Sequence, residues 1–210
     1  MKLIFLQGAG QMADDWGQVR EHLANYPSAA PELLPSGVFP ADFAQLKANA
    51  LEHIKQENED FVLVGLSLGG TLALALAEEK LPQLKGLVVS AGQYDLKHSF
   101  FYKLQNIAFK LLPSKTLAQE GVDKASLVRF FKSMKNLDMT EQVKHINLPV
   151  RVICGSKDKV NLASAKDLAR LLPHAQLTIL ENGGHELNKE MPKEFSVIVE
   201  DFLQKRFGID

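Results

Sequence analysis

The sequence predicts an α/β fold: a mostly parallel, doubly wound sheet with a small helical segment inserted. Three observations lead there. Short apolar runs recur at residues 3–6, 61–64, 84–90, 149–154 and 175–180, and each suits a strand buried on both faces. Helical patterns separate most of these runs, so successive strands return in parallel with helices on both sides of the sheet. The alternation stops between Asp95 and His145, where helical patterns follow one another without a strand. We therefore expect a core of residues 1–94 and 146–210 and a helical cap of residues 95–145.

Composition narrows the class. A chain of 210 residues without a Pro/Ser-rich or charge-dense linker suits one domain with a sizeable core. An apolar content of 46% with a net charge of −1 describes a globular protein, not a disordered or nucleic-acid-binding one. The single cysteine, Cys154, cannot form an internal disulfide. The first apolar run ends at Gly8-Ala9-Gly10, too early for a secretory leader. No run reaches the roughly 18 apolar residues that a membrane span needs. A cytoplasmic location is the resulting expectation, and oligomeric state stays open.

The elements follow in order. After residues 3–6, Asp14 or Asp15 is placed to cap a helix carrying Trp16, Val19 and Leu23 on one face. Residues 28–34 make a poor strand, because Pro31 would break a central ladder. A helix over 40–57 shows Phe43, Leu46, Ala50 and Ile54 on one side. In the insertion, residues 96–112 read as a helix ended by Pro113, and 126–135 as a second, with a short third before Leu148. Lysine and arginine outnumber acids here, which reads as the solvated side of amphipathic helices or as an attractor for an anionic substrate. Residues 162–172 and 192–206 are the last two helices.

One motif carries chemistry. Gly65-Leu66-Ser67-Leu68-Gly69 lies between the strand at 61–64 and the all-apolar helix Thr71-Leu72-Ala73-Leu74-Ala75-Leu76-Ala77. Glycines on both sides let the chain turn sharply, lift the serine hydroxyl clear of the sheet and aim the Leu68 N–H at a substrate oxygen. The helix start adds positive partial charge at the same spot. The plainer reading of such a corner is a turn, and the flanking strand and helix favour the nucleophile elbow.

With these residues the chain resembles the α/β-hydrolase superfamily, over nearly its whole length. That resemblance supplies the strand order and casts 95–145 as a cap over the serine. It implies that Ala9, in Gln7-Gly8-Ala9-Gly10, gives the second oxyanion N–H opposite Leu68. Gln7 stands where the superfamily has a bracing histidine, and it too can hydrogen-bond.

A serine needs a base, and the base needs an acid to fix its tautomer. Of the six histidines only His185 follows a late strand through a Gly-Gly loop. Asp158 follows the preceding strand, giving the order Ser67, Asp158, His185 that the superfamily uses. Asp95 is the alternative acid, and His98 the alternative base. Asp158 could otherwise cap the helix at Leu162. Cys154 reads as packing, and the spacing of histidines and cysteines forms no metal cluster. No phosphate loop or dinucleotide fingerprint occurs, so no cofactor is expected.

The resemblance implies a serine hydrolase of the carboxylesterase or thioesterase kind, acting on a small-molecule acyl substrate. Phe100, Phe101, Leu104, Phe130 and Phe131 are the expected apolar substrate contacts. A C–C bond hydrolase or lyase with the same triad, and a non-enzymatic ligand-binding or signalling member, remain alternatives. Dehalogenases and epoxide hydrolases are disfavoured, because they place aspartate where Ser67 stands.

Overall fold

The computed structural model describes residues 1–99, 102, 111–119 and 121–209. Within them lie β1 (Lys2–Leu6), β2 (Ser28–Ala29), β3 (Phe61–Leu66), β4 (Leu84–Ser90), β5 (Val150–Gly155) and β6 (Ala175–Leu180). They form one sheet in the order β2-β1-β3-β4-β5-β6, and every pairing is parallel. The helices are α1 (Gly17–His22), α2 (Phe43–Ile54), α3 (Leu68–Leu76), α4 (Ser114–Gln119), α5 (Lys124–Ser133), α6 (Thr140–Val143), α7 (Leu162–Leu171), α8 (Leu187–Glu190) and α9 (Pro192–Phe207). No helix among the described residues is long and apolar enough to cross a membrane.

Strand pleating sorts the core into two layers, since successive side chains point to opposite faces. Ile4, Leu6, Leu63, Leu87, Val89, Val152 and Cys154 pack on one face with α2, α3 and α7, through Leu46, Leu72 and Leu168. Leu3, Phe5, Val62, Val64, Val88 and Ile153 pack on the other with α1 and α9, through Val19, Phe195, Val199 and Phe202. Trp16 fills the space between Phe5 and Phe195, with ring centroids 5.0 and 5.7 Å away. Both faces of β1, β3, β4 and β5 are therefore largely buried, and their sequences are mostly apolar, with exceptions such as Lys85 in β4 and Arg151 in β5.

The order also locates the chemistry. The chain steps outward from β1 to β2, then returns to β3 on the other side. In such sheets the crevice outside the carboxyl ends of the two strands at the reversal is the natural ligand site. The loops after β1 and β3 both leave at that point.

Some local expectations are corrected. Neither Asp14 nor Asp15 is the N-cap of α1; both sit inside a 3-10 turn, Ala13–Trp16, that leads into it. The turn starts one residue earlier because the Asp15 carboxylate reaches back to accept the Met12 N–H at 2.8 Å. The second helix begins only at Phe43, where Asp42 accepts the Gln45 N–H, so Pro40 and Ala41 stay outside it. Residues 96–99 are not helical. The Leu96 and Lys97 N–H groups both donate to the Leu137 carbonyl, at 2.9 and 3.1 Å, beside an antiparallel bridge between Asp95 and Asp138. Tertiary partners have taken the donors a helix start would leave free. The remainder of the predicted 96–112 helix falls largely outside the described residues.

The segment between β4 and β5 also ties itself to the loop after β2. Asp123 donates its N–H to the Gly37 carbonyl at 3.1 Å, and the Ser126 hydroxyl accepts the Phe39 N–H at 3.1 Å. A side chain on Gly37 would stand 1.6 Å from the Gly121 carbonyl oxygen, so the two loops meet backbone to backbone.

Candidate active site

Ser67 joins β3 to α3 in a backbone conformation that side chains rarely adopt, with φ 53° and ψ −112°. Such a residue carries roughly 1–3 kcal/mol of strain, held only where its surroundings fix it. Here the Ser67 N–H donates to the Ser90 carbonyl at 2.8 Å, and the Ser67 carbonyl accepts the Thr71 N–H at 2.9 Å. The flanking glycines are required by contact. A Cβ on Gly65 would lie 2.3 Å from the Gly69 carbonyl oxygen, and one on Gly69 would lie 2.0 Å from that of Leu6. The Ser67 side chain is half-buried and its hydroxyl has no hydrogen-bond partner among the described residues.

The loop after β1 faces this corner. The N–H groups of Ala9 and Leu68 likewise have no acceptor among the described residues. Leu68 N–H belongs to the first turn of α3, which leaves its donors unpaired inside the helix. Gln7 does not brace the loop. It donates to Glu32 at 2.5 Å, and Glu32 also accepts the Ala13 and Leu34 N–H groups. Gln11 takes the bracing part: its side-chain oxygen accepts the Gly8 N–H at 3.2 Å, and its nitrogen donates to Glu186 at 3.0 Å and Asn188 at 3.2 Å. The loop after β1 is thus fastened to the residues that follow His185.

His185 and Asp158 meet across the ends of β5 and β6. Gly155 allows it, because a Cβ there would stand 2.2 Å from the Gly184 carbonyl oxygen. The two loops are stitched by Ser156 N–H to the Leu180 carbonyl and Lys157 N–H to that of Gly183, both at 2.9 Å. Glu190 accepts the Gly184 and Glu186 N–H groups at 2.7 and 2.9 Å, gripping the backbone on either side of His185.

His185 Nδ1 then lies 2.7 Å from Asp158 Oδ2, and the aspartate is 7% exposed. A carboxylate partner places the proton on Nδ1 and leaves Nε2 as the acceptor. Burial alone would push the Asp158 carboxyl up, but hydrogen bonds from His185 and Asn161 outweigh it and hold the group below its ordinary range. Burial alone would likewise lower His185, but the hydrogen bond and charge of Asp158, with Glu186 and Glu190, lift it above its ordinary value. The imidazole makes no hydrogen bond to Ser67: the structure brings Asp158 and His185 together and leaves the serine hydroxyl unbonded.

The rival residues pair with each other. His98 Nδ1 lies 2.8 Å from Asp95 Oδ2, and the histidine side chain is 63% exposed. With Asp138 they form a group whose ligand atoms lie within 4.8 Å of one another, a cluster that the spacing of histidines and cysteines did not announce. Cys154 is buried, and desolvation together with the Asp158 charge pushes its thiol up to about 12. Phe130 and Phe131 are buried against Phe39, with ring centroids at 5.2 and 6.0 Å, in the cluster that also holds Leu68. Phe100, Phe101 and Leu104 lie outside the described residues. A surface groove of about 850 Å³ is lined by Leu81, Leu84, Ile146 and Leu148 near the amino ends of β4 and β5, at the opposite edge from Ser67.

Sequence reasoning missed Gln11, Gln93, Asn161 and Glu190. Each acts by reaching a residue distant in the chain or by folding back over a turn, and no local pattern marks it.

Residues 3–197 match the family model described as the alpha/beta hydrolase family. The chain is 22% identical over 211 residues to a proline iminopeptidase of Saccharolobus solfataricus, covering 76% of this chain and 68% of that protein. It is 25% identical over 193 residues to the monoacylglycerol lipase of Rattus norvegicus, covering 73% of this chain and 57% of that protein. Among solved structures it is similar to a lipase-esterase related protein from Clostridium acetobutylicum, at 19% identity and TM-score 0.82, over 96% of this chain and 93% of that one. A thermophilic esterase from Thermogutta terrifontis matches at 19% identity and TM-score 0.77, over 98% and 90%. At these identities the structural likeness is one of fold.

Proposed function

The chain belongs to the alpha/beta hydrolase family, and from that premise we propose that it is a serine hydrolase that cleaves an ester or thioester of an apolar acyl group. Ser67 is the nucleophile, His185 the base and Asp158 the acid that orients it. The observation that carries the reading is the 2.7 Å contact between Asp158 Oδ2 and His185 Nδ1, made on the sheet edge where strained Ser67 turns its hydroxyl out.

In this mechanism His185 Nε2 takes the Ser67 proton as the oxygen attacks the acyl carbonyl. The carbonyl oxygen becomes an oxyanion held by the unpaired N–H groups of Ala9 and Leu68. Loss of one such donor typically removes about 3 kcal/mol of transition-state stabilisation. His185 then protonates the leaving group, and later draws a proton from the water that releases the acid. The imidazolium formed in each step is balanced by the Asp158 carboxylate.

Residues 95–145 serve as the cap. Apolar acyl chains are the proposed substrates because this insertion sends Leu127, Phe130, Phe131 and Met134 into the hydrophobic cluster that contains Leu68. Hydrolysis of p-nitrophenyl esters of increasing acyl length tests the reading. Activity that rises from acetate to longer chains and vanishes in Ser67→Ala supports it. No turnover of any ester, with thermal stabilisation by an acyl ligand, would favour a binding protein on the same fold.

A further inference from the structure

Asn161 stands at a position it does not use in the ordinary way. It is the N-cap residue of α7, yet its side chain accepts no N–H from that helix. An asparagine that caps contributes about 1 kcal/mol to its helix. Here the side chain is turned away, with the residue 6% exposed. Its nitrogen lies 2.9 Å from each Asp158 oxygen, and its backbone N–H reaches Asp158 Oδ1 at 3.3 Å. Its side-chain oxygen accepts a hydrogen bond from Gln93 Nε2 at 2.7 Å. Gln93 is in turn clamped to α3: the Thr71 hydroxyl donates to the Gln93 carbonyl at 2.9 Å and accepts its N–H at 3.1 Å. Thr71 bonds back to the Ser67 carbonyl.

We infer that Asn161, oriented by Gln93, is a positioning residue that presents Asp158 to His185 and couples the acid's loop to the helix that carries the serine. The inference rests on the proposed triad. The physical case is a matter of donors. A carboxylate on a loop can turn either oxygen to a partner. Asn161 gives its backbone N–H to Oδ1 and sets its amide nitrogen against both oxygens, which pins the carboxylate with Oδ2 toward His185, whose Nδ1 the same amide nitrogen approaches at 3.2 Å. Only one orientation of the amide does this, and the Gln93 donor fixes it by occupying the amide oxygen.

The same donors share the aspartate's negative charge. The charged groups around His185 are Asp158, Glu186 and Glu190, and Glu186 is also paired with Lys189 at 3.6 Å. All three acids favour the imidazolium. Asn161 offsets the nearest of them, so its removal lets His185 hold its proton to higher pH. A base that stays protonated longer cannot accept the serine proton, and kcat falls while KM is little changed.

The test is titration of His185 by NMR, with its resonance assigned by loss in His185→Gln. Asn161→Ala is expected to move the midpoint up by about half a pH unit or more. Gln93→Leu, which leaves the carboxylate's own neighbours intact, is expected to move it the same way by less. The acidic limb of kcat/KM on p-nitrophenyl acetate should shift in step. Midpoints equal to wild type in folded Asn161→Ala and Gln93→Leu would overturn the inference. If Asn161→Ala fails to fold, an unshifted Gln93→Leu overturns it alone. The imidazole titrates whether or not the protein turns over an ester, so absent turnover counts against the proposed function and not against this relay.

Discussion

Asp158 Oδ2 sits 2.7 Å from His185 Nδ1, while Asp95, the other acid at the end of a strand loop, spends its carboxylate on exposed His98. Two Asp–His pairs exist among the described residues, and only in the one beside the β5 and β6 loops is the carboxylate buried. This predicts that the two acids separate sharply on mutation. Asp158→Asn should lower kcat/KM by about 10⁴-fold, the scale on which a wrong imidazole tautomer acts. Asp95→Asn should change it by no more than a few-fold, as expected for an exposed ion pair. Ester hydrolysis by the two purified variants, compared with wild type, measures both.

The pH profile has a definite sign. His185 must be unprotonated to act, and its neighbours hold it above its ordinary 6.5. Activity should therefore fall as pH drops through a midpoint above 6.5. Stability follows from the same pair. The raised histidine contributes stability that is complete below 6.5 and lost as pH rises through its folded value. The lowered aspartate contributes stability present above its ordinary 3.8 and lost as pH falls through its folded value. Denaturant melts across pH should show both losses in wild type and a flatter profile in Asp158→Asn.

The glycines of the corner and of the loop after β1 should differ in what they tolerate. Gly69→Ala brings a methyl within 2.0 Å of the Leu6 carbonyl oxygen, so backbone must move. A loss of about 1–3 kcal/mol or more is expected, as for overpacked cores. Gly10 has φ +81°, but a methyl added there would meet no atom within 4 Å. Gly10→Ala should therefore lose only about 1–2 kcal/mol, from backbone strain alone. Urea unfolding of the two variants compares them directly.

Much of this was legible in the sequence because it is written locally. Residues 84–90 and 175–180 are strands with the expected limits, and Ser67 sits at the expected corner. Central parallel strands are largely apolar runs and a strained turn needs its glycines nearby, but β6 was expected to be buried on both faces and is instead a half-exposed strand at the sheet edge. What was not legible depends on contacts between distant segments. Leu96 fits a helical period, but Leu137 captures its N–H. Gln7 looked like the loop's brace until Glu32 claimed it, leaving Gln11 to hold Gly8. Asn161 reads as a helix cap in any sequence, and only its meeting with Gln93 and Asp158 turns it elsewhere.

Cys154 offers a check on the core. Its thiol is buried and pushed up to about 12, so the reactive thiolate is scarce near neutral pH. Iodoacetamide at mildly alkaline pH should leave the folded protein unmodified and alkylate one site after unfolding in guanidinium. Mass spectrometry before and after denaturation reads the difference.

The central claim is that Ser67 is an activated nucleophile. Intact-protein mass spectrometry after exposure to a fluorophosphonate measures it most directly. Wild type should gain one phosphonyl group, mapped to the peptide containing Ser67, and neither Ser67→Ala nor His185→Ala should gain it at a comparable rate. Equal labelling of wild type and Ser67→Ala would contradict the account.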